Sequence, residues 1–450
     1  MRTSAMARLA VMGVLLIALM IPLTMTHSVV SERAARRDAA AAEIGSIWGG
    51  AQIVGGPVLT VPYRTSYVDN QGQIRQITRH VFLLPEALDF KGTVHPSRRS
   101  RGLFPVVVYE TRLDVRGRFS APDLSAIRPV PDEILWDDAS LSVGVSDPKG
   151  IARAATLHWG ETRQPFVPGV GEGGLFASGV QAEVPGLSSS TTAVAFSFEL
   201  HLNGTKELRF MPGGNETVVE LHSPWPHPSF VGAPLPATRR VDDTGFAASW
   251  RVPYFGRGYP PLWTDETGHR DQLRAQAAGS AFGVSLLEPV DIYLQSERAV
   301  KYAALFIVLT FVVAFLWEVT SGVLVHPIQY LFVGFALCIF YLLLVSLAEH
   351  VGFDRSYVAA TTSIVGLVAW YWSWVLGRRS HGLLMAGVLS LLYGYLYLLL
   401  RLEDFALLAG SIGLFVVLAL LMFFTRRVNW YELRLGSRAP EEASGGAGVR

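Results

Sequence analysis

Six apolar stretches decide what kind of protein this chain can be. Residues 9–29, 302–320, 328–347, 357–376, 383–400 and 405–424 are each long and apolar enough for a bilayer-crossing helix, which needs roughly 20 residues. Half of the 450 residues are hydrophobic and the mean hydropathy is +0.33, an average that soluble domains rarely reach. The first stretch follows Arg2 and Arg8 and has the outline of a secretory signal. No A-x-A site follows its apolar end closely, and Pro22 lies inside a long core. It is therefore read as an uncleaved signal anchor.

Basic residues set the expected orientation. Arg2 and Arg8 precede the first stretch, Arg378 and Arg379 follow the fourth, and Arg426, Arg427 and Arg434 follow the sixth. Six crossings put all three places on one side, the cytoplasm, with both termini there. Residues 31–298 then lie outside the cytoplasm. The expected organisation is a signal-anchor helix (1–30), an extracytoplasmic β-rich domain with a leading helix (31–298), five transmembrane helices (299–430) and a disordered cytoplasmic tail (431–450). In class terms this is an α+β membrane protein, with the lipid bilayer as its first partner.

Several functions are excluded. A net charge of +1, without a basic patch interleaved with aromatics, gives no case for nucleic acid. Cys338 is the single cysteine, so a disulfide framework, a Cys-ligated metal site and a CxxC redox site are all ruled out. No G-x-S-x-G, H-E-x-x-H, Walker or Rossmann sequence occurs. The expectation is a protein without catalytic residues, cofactor or metal. A glycan-active periplasmic hydrolase is the enzymatic alternative, because two carboxylates suffice for that chemistry and leave no motif.

Between the first two stretches the pattern changes. "SERAARRDAAAAEIGSIW" is rich in helix formers and reads as a helix leaving the membrane. From Gly55 onward, "PVLTVPYRTSYV", "IRQITRHVFLL", "FPVVVYETRLDVRGRFS", "LSVGVS", "TAVAFSFELHLNG" and "ETVVELH" are short, β-branched and partly alternating. Many strands with Gly/Pro turns point to a sandwich-like all-β domain, of one or two sub-domains.

"LHSPWPHPSFVGAPLP" (221–236) interrupts these strands. Its prolines hold the residues before them extended, so Trp225, His227 and Ser229 share one face while His222 takes the other. That separates the two histidines and disfavours a metal. The expectation is a rigid edge or crossover strand with Trp225 and Phe230 in the core. A partner-binding ledge at Trp225, His227 and Phe230 is the sharper alternative.

Ionisable residues cluster at the ends of the apolar stretches. Glu318 and His326 fall on the cytoplasmic rim; Glu349, His350, Asp354, Arg401, Glu403 and Asp404 fall on the periplasmic rim. Charges at helix ends can reach water, so capping and salt bridging are expected, with docking or gating as the functional alternative. Arg401 is expected to pair with Glu349 or Asp354. Gly382, Ala386, Ser390 and Gly394 recur every four residues and would form a close-packing seam against another helix of the bundle or a second subunit.

Several long motifs resemble the CreD family of bacterial inner-membrane proteins. They are "SPWPHPSFVGAPLPATRRVDDTGFAASW", "RAVKYAALFIVLTFVVAFLWE", "HPIQYLFVGFALCIFYLLLVSLAEHVGF" and "LLYGYLYLLLRLEDFALLAGSIGLFVVLALLMFFTRRVNWY". "IVGGPVLTVPY" fits as well, with one glycine more than the family's usual Gly-Pro. The resemblance implies an N-terminal anchor, a large periplasmic domain and a C-terminal membrane bundle. It also implies a role in cell-envelope integrity or stress response, under a carbon-source-responsive two-component system, and brings no catalytic residue. The expected function is a non-catalytic scaffold or sensor-like component, with an envelope protein or a second copy as partner. The alternative is a transporter or channel-like component whose periplasmic domain gathers substrate.

Overall fold

The computed structural model describes residues 5–121, 124, 127, 130–171, 174–265, 270–286, 291–321, 325–402 and 405–426. The chain divides into two compact units, Met1–Arg36 with Val290–Arg450, and Arg37–Pro289. The tail expected at 431–450 lies outside the described residues, as do Glu403 and Asp404.

Seven helices are described: α1 (Ala5–Trp48), α2 (Arg270–Gly279), α3 (Ile292–Ser321), α4 (Pro327–Val351), α5 (Phe353–Val375), α6 (Arg379–Arg401) and α7 (Ala406–Thr425). All but α2 are long and apolar enough to cross a membrane, and each of the six apolar stretches falls within one of them to within a residue. α1 is one continuous helix of 44 residues, about 66 Å at 1.5 Å per residue, with Pro22 tolerated inside it. α3 begins ten residues before its apolar stretch. The Asp291 carboxylate explains this, accepting the N–H groups of Tyr293 and Leu294 at 3.0 and 3.2 Å as an N-cap. α4 and α5 are joined by Gly352 alone, at φ +83°, a left-handed conformation that glycine adopts without a Cβ penalty. Asp354 and Arg355 therefore stand in the first turn of α5 rather than in a loop.

In the first unit, α1, α3, α4, α5 and α6 share a core that includes Leu19, Phe311, Phe340, Tyr341, Ile364 and Leu389. α1 is a full member of it. A Cβ at Gly334 of α4 would lie 2.2 Å from Leu19 of α1, so the two helices meet at a glycine. Trp372 is buried against Tyr330, ring centroids 6.2 Å apart, while Trp370 and Trp374 face outward. No described residue of α7 is buried.

The second unit carries eighteen described strands in two sheets. The eight-stranded sheet runs Thr238–Asp242, Gly245–Pro253, Glu216–Ser223, Ala87–Arg101, Phe104–Ser120, Ala193–Thr205, Thr156–Trp159 and Thr162–Pro165. Along Ala87–Arg101 the alternation is plain: Leu88, Phe90 and Val94 are buried, while Asp89, Lys91 and His95 are not. The ten-stranded sheet is organised around Gln52–Val68, which pairs Ile74–Leu83 antiparallel and Glu207–Phe210 parallel. Inward side chains of both sheets, among them Phe90, Leu113, Leu141, Phe210, Trp250 and Phe282, belong to one hydrophobic cluster. α2 was not foreseen within this β region; its Ala277 packs with Phe82, Trp263 and Phe176 in a smaller cluster.

The additional glycine of "IVGGP" has a packing role. Gly55 is the cross-strand partner of Gly144, and a Cβ on either would meet the Phe176 ring at 2.5 and 2.3 Å. We expect Gly144→Ala to destabilise this unit by about 1–3 kcal/mol, the usual range for overpacking, and Phe176→Leu in the same chain to restore part of the loss. Urea unfolding followed by protease susceptibility measures both; an unchanged midpoint for Gly144→Ala would remove the glycine seat from the account.

Candidate functional site

The ends of the first unit's helices carry the same three side-chain types repeatedly. Arg8 of α1 is ion-paired with Glu318 in the last turn of α3, and the Tyr330 hydroxyl of α4 donates to the other Glu318 oxygen at 2.8 Å. Glu318 is 2% exposed, so it is a buried carboxylate rather than a rim charge reaching for water. The Val325 N–H donates to it as well, at 3.4 Å. His326 does something separate. It caps α4: its Nδ1 accepts from the Ile328 N–H at 3.3 Å, and its own N–H donates to Gln329 Oε1 at 2.9 Å.

At the opposite ends of these helices stand two further clusters. Arg33 of α1 lies 3.5 Å from Glu349 of α4, which also accepts from the Tyr293 hydroxyl at 3.0 Å. Arg401 of α6 lies 2.6 Å from Asp354 of α5, and Tyr397 joins both, accepting from Arg401 and donating to Asp354 at 3.1 Å. Of the two partners expected for Arg401, the structure places Asp354 beside it and gives Glu349 to Arg33. Burial separates the three clusters. Glu349 is 5% exposed, whereas Arg401 and Asp354 are 51% and 57% exposed.

An arginine fork, a carboxylate and a phenol satisfy one another's hydrogen bonds with little charge left over. Arg8 and Arg33 stand about 38 Å apart along α1 at 1.5 Å per residue, and each pairs with the last turn of a different bundle helix. Such an arrangement fixes the axial position of α1. It holds no nucleophile, and among the described residues no three His, Cys, Asp or Glu side chains converge as metal ligands.

The half-exposed Arg401–Asp354 pair should contribute little to stability. We expect Arg401→Gln to cost less than about 1 kcal/mol, in the range of exposed ion pairs, and the effect to shrink with added salt. Thermal unfolding in detergent at low and high ionic strength reads this directly. A loss of several kcal/mol would mean that the cluster is as buried as that of Glu318.

The remaining candidate residues fall apart as a group. Trp225 and Phe230 pack on the β core, with Phe230 edge-on to Trp250 at 5.7 Å. His227 is exposed, and so is His222. Trp225 and His227 therefore do not share a face: the chain bends at 224–227, where it leaves the strand Glu216–Ser223 of one sheet and enters Pro228–Val231 of the other. The proline run is the corner between the sheets. His350 is exposed on the last turn of α4. The four-residue seam is not continuous within the bundle. Gly382 is in contact, with Ala369 O 2.4 Å from the position of a Cβ, and Ala386 is half-buried. Ser390 is exposed and nothing approaches Gly394 within 4 Å. The buried stripe of α6 runs instead through Met385, Leu389, Tyr393 and Leu396, because larger side chains fill the bundle better than small ones.

Sequence reasoning missed Arg33, Tyr293, Tyr330 and Tyr397, whose pairing depends on contacts between helices. It also missed Arg257 in the second unit, which is fully buried with no carboxylate paired to it among the described residues. Its Nε and Nη1 donate to the carbonyls of Tyr259, Gly213 and Gly214 at 3.0–3.2 Å. Burial draws its pKa down, opposed by the neighbouring Tyr259 and Tyr254.

A β-rich unit carried between the first and second of six membrane-length helices, with paired charges at the helix ends, defines a polytopic membrane protein. The chain belongs to the CreD family: the family model described as "Inner membrane protein CreD" matches residues 4–431. It is 32% identical over 427 residues to the inner membrane protein CreD of Escherichia coli (strain K12), covering 93% of this chain and 92% of that protein. Among solved structures, an M1 zinc metallopeptidase from Deinococcus radiodurans aligns with 39% of this chain and 41% of its own, at 13% identity and a TM-score of 0.19. That likeness carries no argument.

Proposed function

We propose that this CreD-family protein supports cell-envelope integrity or the envelope stress response as a non-catalytic scaffold or sensor-like component of the bacterial inner membrane. In this reading both termini are cytoplasmic. Residues 31–298 form a periplasmic β-sandwich domain after the signal anchor (1–30), the bundle spans 299–430 and the tail 431–450 is cytoplasmic. An envelope protein or a second copy is the partner. The observation that carries the reading is the placement of the charges. Three described carboxylates at the ends of the bundle, Glu318, Glu349 and Asp354, are each held by an arginine and a tyrosine, and the middles of the six apolar stretches hold no charged residue. Proton- or ion-coupled carriers place ionisable groups or broken helices at mid-depth.

Transport remains the second reading because one observation favours it: Glu318 is a buried membrane carboxylate, and such groups are often functional. Paired neutralisation separates the two. A strain lacking the gene is complemented with the intact protein, with Arg8→Gln plus Glu318→Gln, or with residues 31–298 tethered by the first helix alone. Survival under envelope stress is scored with expression and insertion checked. The scaffold reading expects the paired variant to complement. Loss of complementation by a stably inserted paired variant would favour transport.

A further inference from the structure

The two ends of the first unit's helices differ in how their charge is answered. At one end Arg33 and Arg401 face Glu349 and Asp354. The end that holds the Arg8–Glu318 pair also carries Arg378 and Arg379 at the start of α6 and Arg426 just past α7. Glu318 is the one acidic side chain among the described residues at this end, and Arg8 takes it. Arg378 and Arg379 are exposed, and neither has an ion pair among the described residues. Arg426 is exposed too, its guanidinium over the Phe423 ring at 4.1 Å. The sequence that follows, 427–434, adds Arg427 and Arg434 against Glu432 and so does not cancel this charge.

The three arginines come level on neighbouring helices. α6 and α7 meet where the Tyr395 hydroxyl donates to the Ala409 carbonyl. Arg379 stands 16 residues before Tyr395 and Arg426 stands 17 residues after Ala409, about 24 and 26 Å at 1.5 Å per residue. One helical turn from each arginine the surface turns apolar: Trp374 is 75% exposed, Leu383 74% and Phe423 53%. Unanswered positive charge therefore stands at the border of the segments long and apolar enough to lie in lipid, with an outward tryptophan at the level where such rings anchor a helix.

We propose that Arg378, Arg379 and Arg426 bind the phosphate headgroup of an anionic membrane phospholipid. Guanidinium groups match phosphate oxygens bidentately, and basic sites between membrane helices suit anionic headgroups. The adjoining surface selects the occupant. A ligand that fits both parts carries negative charge on an apolar body, with its acyl chains along Trp374, Leu383 and Phe423. An acidic protein or a free anion would answer the charge and leave that apolar surface unused. The proposal needs these helices to lie in a bilayer and draws on neither the scaffold nor the transport reading.

The test uses the full chain reconstituted in vesicles of equal phosphatidylglycerol and phosphatidylcholine, then released in mild detergent, with retained lipids counted by native mass spectrometry. The expected result is retention of phosphatidylglycerol over phosphatidylcholine. An arginine at an anionic surface is worth about fivefold in affinity, so Arg378→Gln with Arg379→Gln should remove most of that preference. Arg355→Gln, a lone exposed arginine in the first turn of α5, should leave it intact. Arg426→Gln alone, with a fall of about fivefold, repeats the test should the double variant fail to insert. Equal retention of the two lipids by the intact chain would overturn the site. So would an equal fall in Arg355→Gln, which would mean charge in general. Displacement by inorganic phosphate, but not by chloride at the same ionic strength, would make a free anion the ligand and overturn it as well. Both leaflets of the vesicles hold the same lipids, so the outcome is independent of sidedness and of the complementation result.

Discussion

Replacement of Glu318 by leucine should lower the stability of the membrane unit by about 3–5 kcal/mol, the cost of removing one partner from a buried ion pair. Glu318 is 2% exposed and accepts from both Arg8 and Tyr330. Its removal takes the counter-ion from a largely buried guanidinium and leaves a buried phenol short of its acceptor. The sign of the second step follows from the same reasoning. Arg8→Met with Glu318→Leu should recover most of the loss, because an apolar pair needs no desolvation of charge. The chain supplies its own probe: Cys338 is the single cysteine and is buried within this unit, so a thiol-reactive dye labels it only as the helices separate. A loss below about 1 kcal/mol, or a double variant no better than the single one, would show that the pair is not closed in solution.

Trp250→Ala should be the most damaging single change in the second unit, at about 3–5 kcal/mol for a large buried aromatic. Trp250 is fully buried, with the Phe230 and Phe282 rings 5.7 and 5.8 Å away. Phe230 belongs to the strand that follows the proline corner, so the loss would also loosen the link between the two sheets. Trp250→Phe gives the contrast. The indole N–H has no hydrogen-bond partner among the described residues, and phenylalanine removes that unsatisfied donor while keeping an aromatic ring, which should limit the cost to about 1.5 kcal/mol. Urea titration with pulse proteolysis of the purified chain measures both variants. Equal losses would mean that the ring shape, rather than its burial, holds the strand in place.

What could be read from the residues alone was the part that depends on local pattern. Apolar runs of about 20 residues fall inside helices, to within a residue, because a bilayer leaves few other options. Alternation such as that of Leu88, Phe90 and Val94 reports a sheet with one buried face. The helix Arg270–Gly279 was hidden by its small size and polar composition, and the early start of α3 by a cap, Asp291, that lies outside the apolar run. The clusters were legible by halves. Glu318, Glu349, Asp354 and Arg401 stood out as charges near lipid, but Arg8 and Glu318 are 310 residues apart, and no spacing rule joins them. The seam does not run through the bundle at Ser390 and Gly394, which face outward, because an every-four repeat of small residues fits a contact with lipid or a second subunit as well as with a helix of the same bundle. Only the positions of the neighbours tell these apart.

Sidedness is the claim on which the functional reading rests, and one labelling experiment addresses it. In a Cys338→Ser background, Phe255→Cys introduces a thiol at a position 91% exposed in the β-rich unit, and Arg378→Cys introduces one at the exposed junction before α6. Cells with a permeabilised outer membrane are treated with a membrane-impermeant maleimide. The account expects Phe255→Cys to be labelled at once and Arg378→Cys only after the inner membrane is opened. The reverse pattern would put the β-rich unit in the cytoplasm and contradict the account.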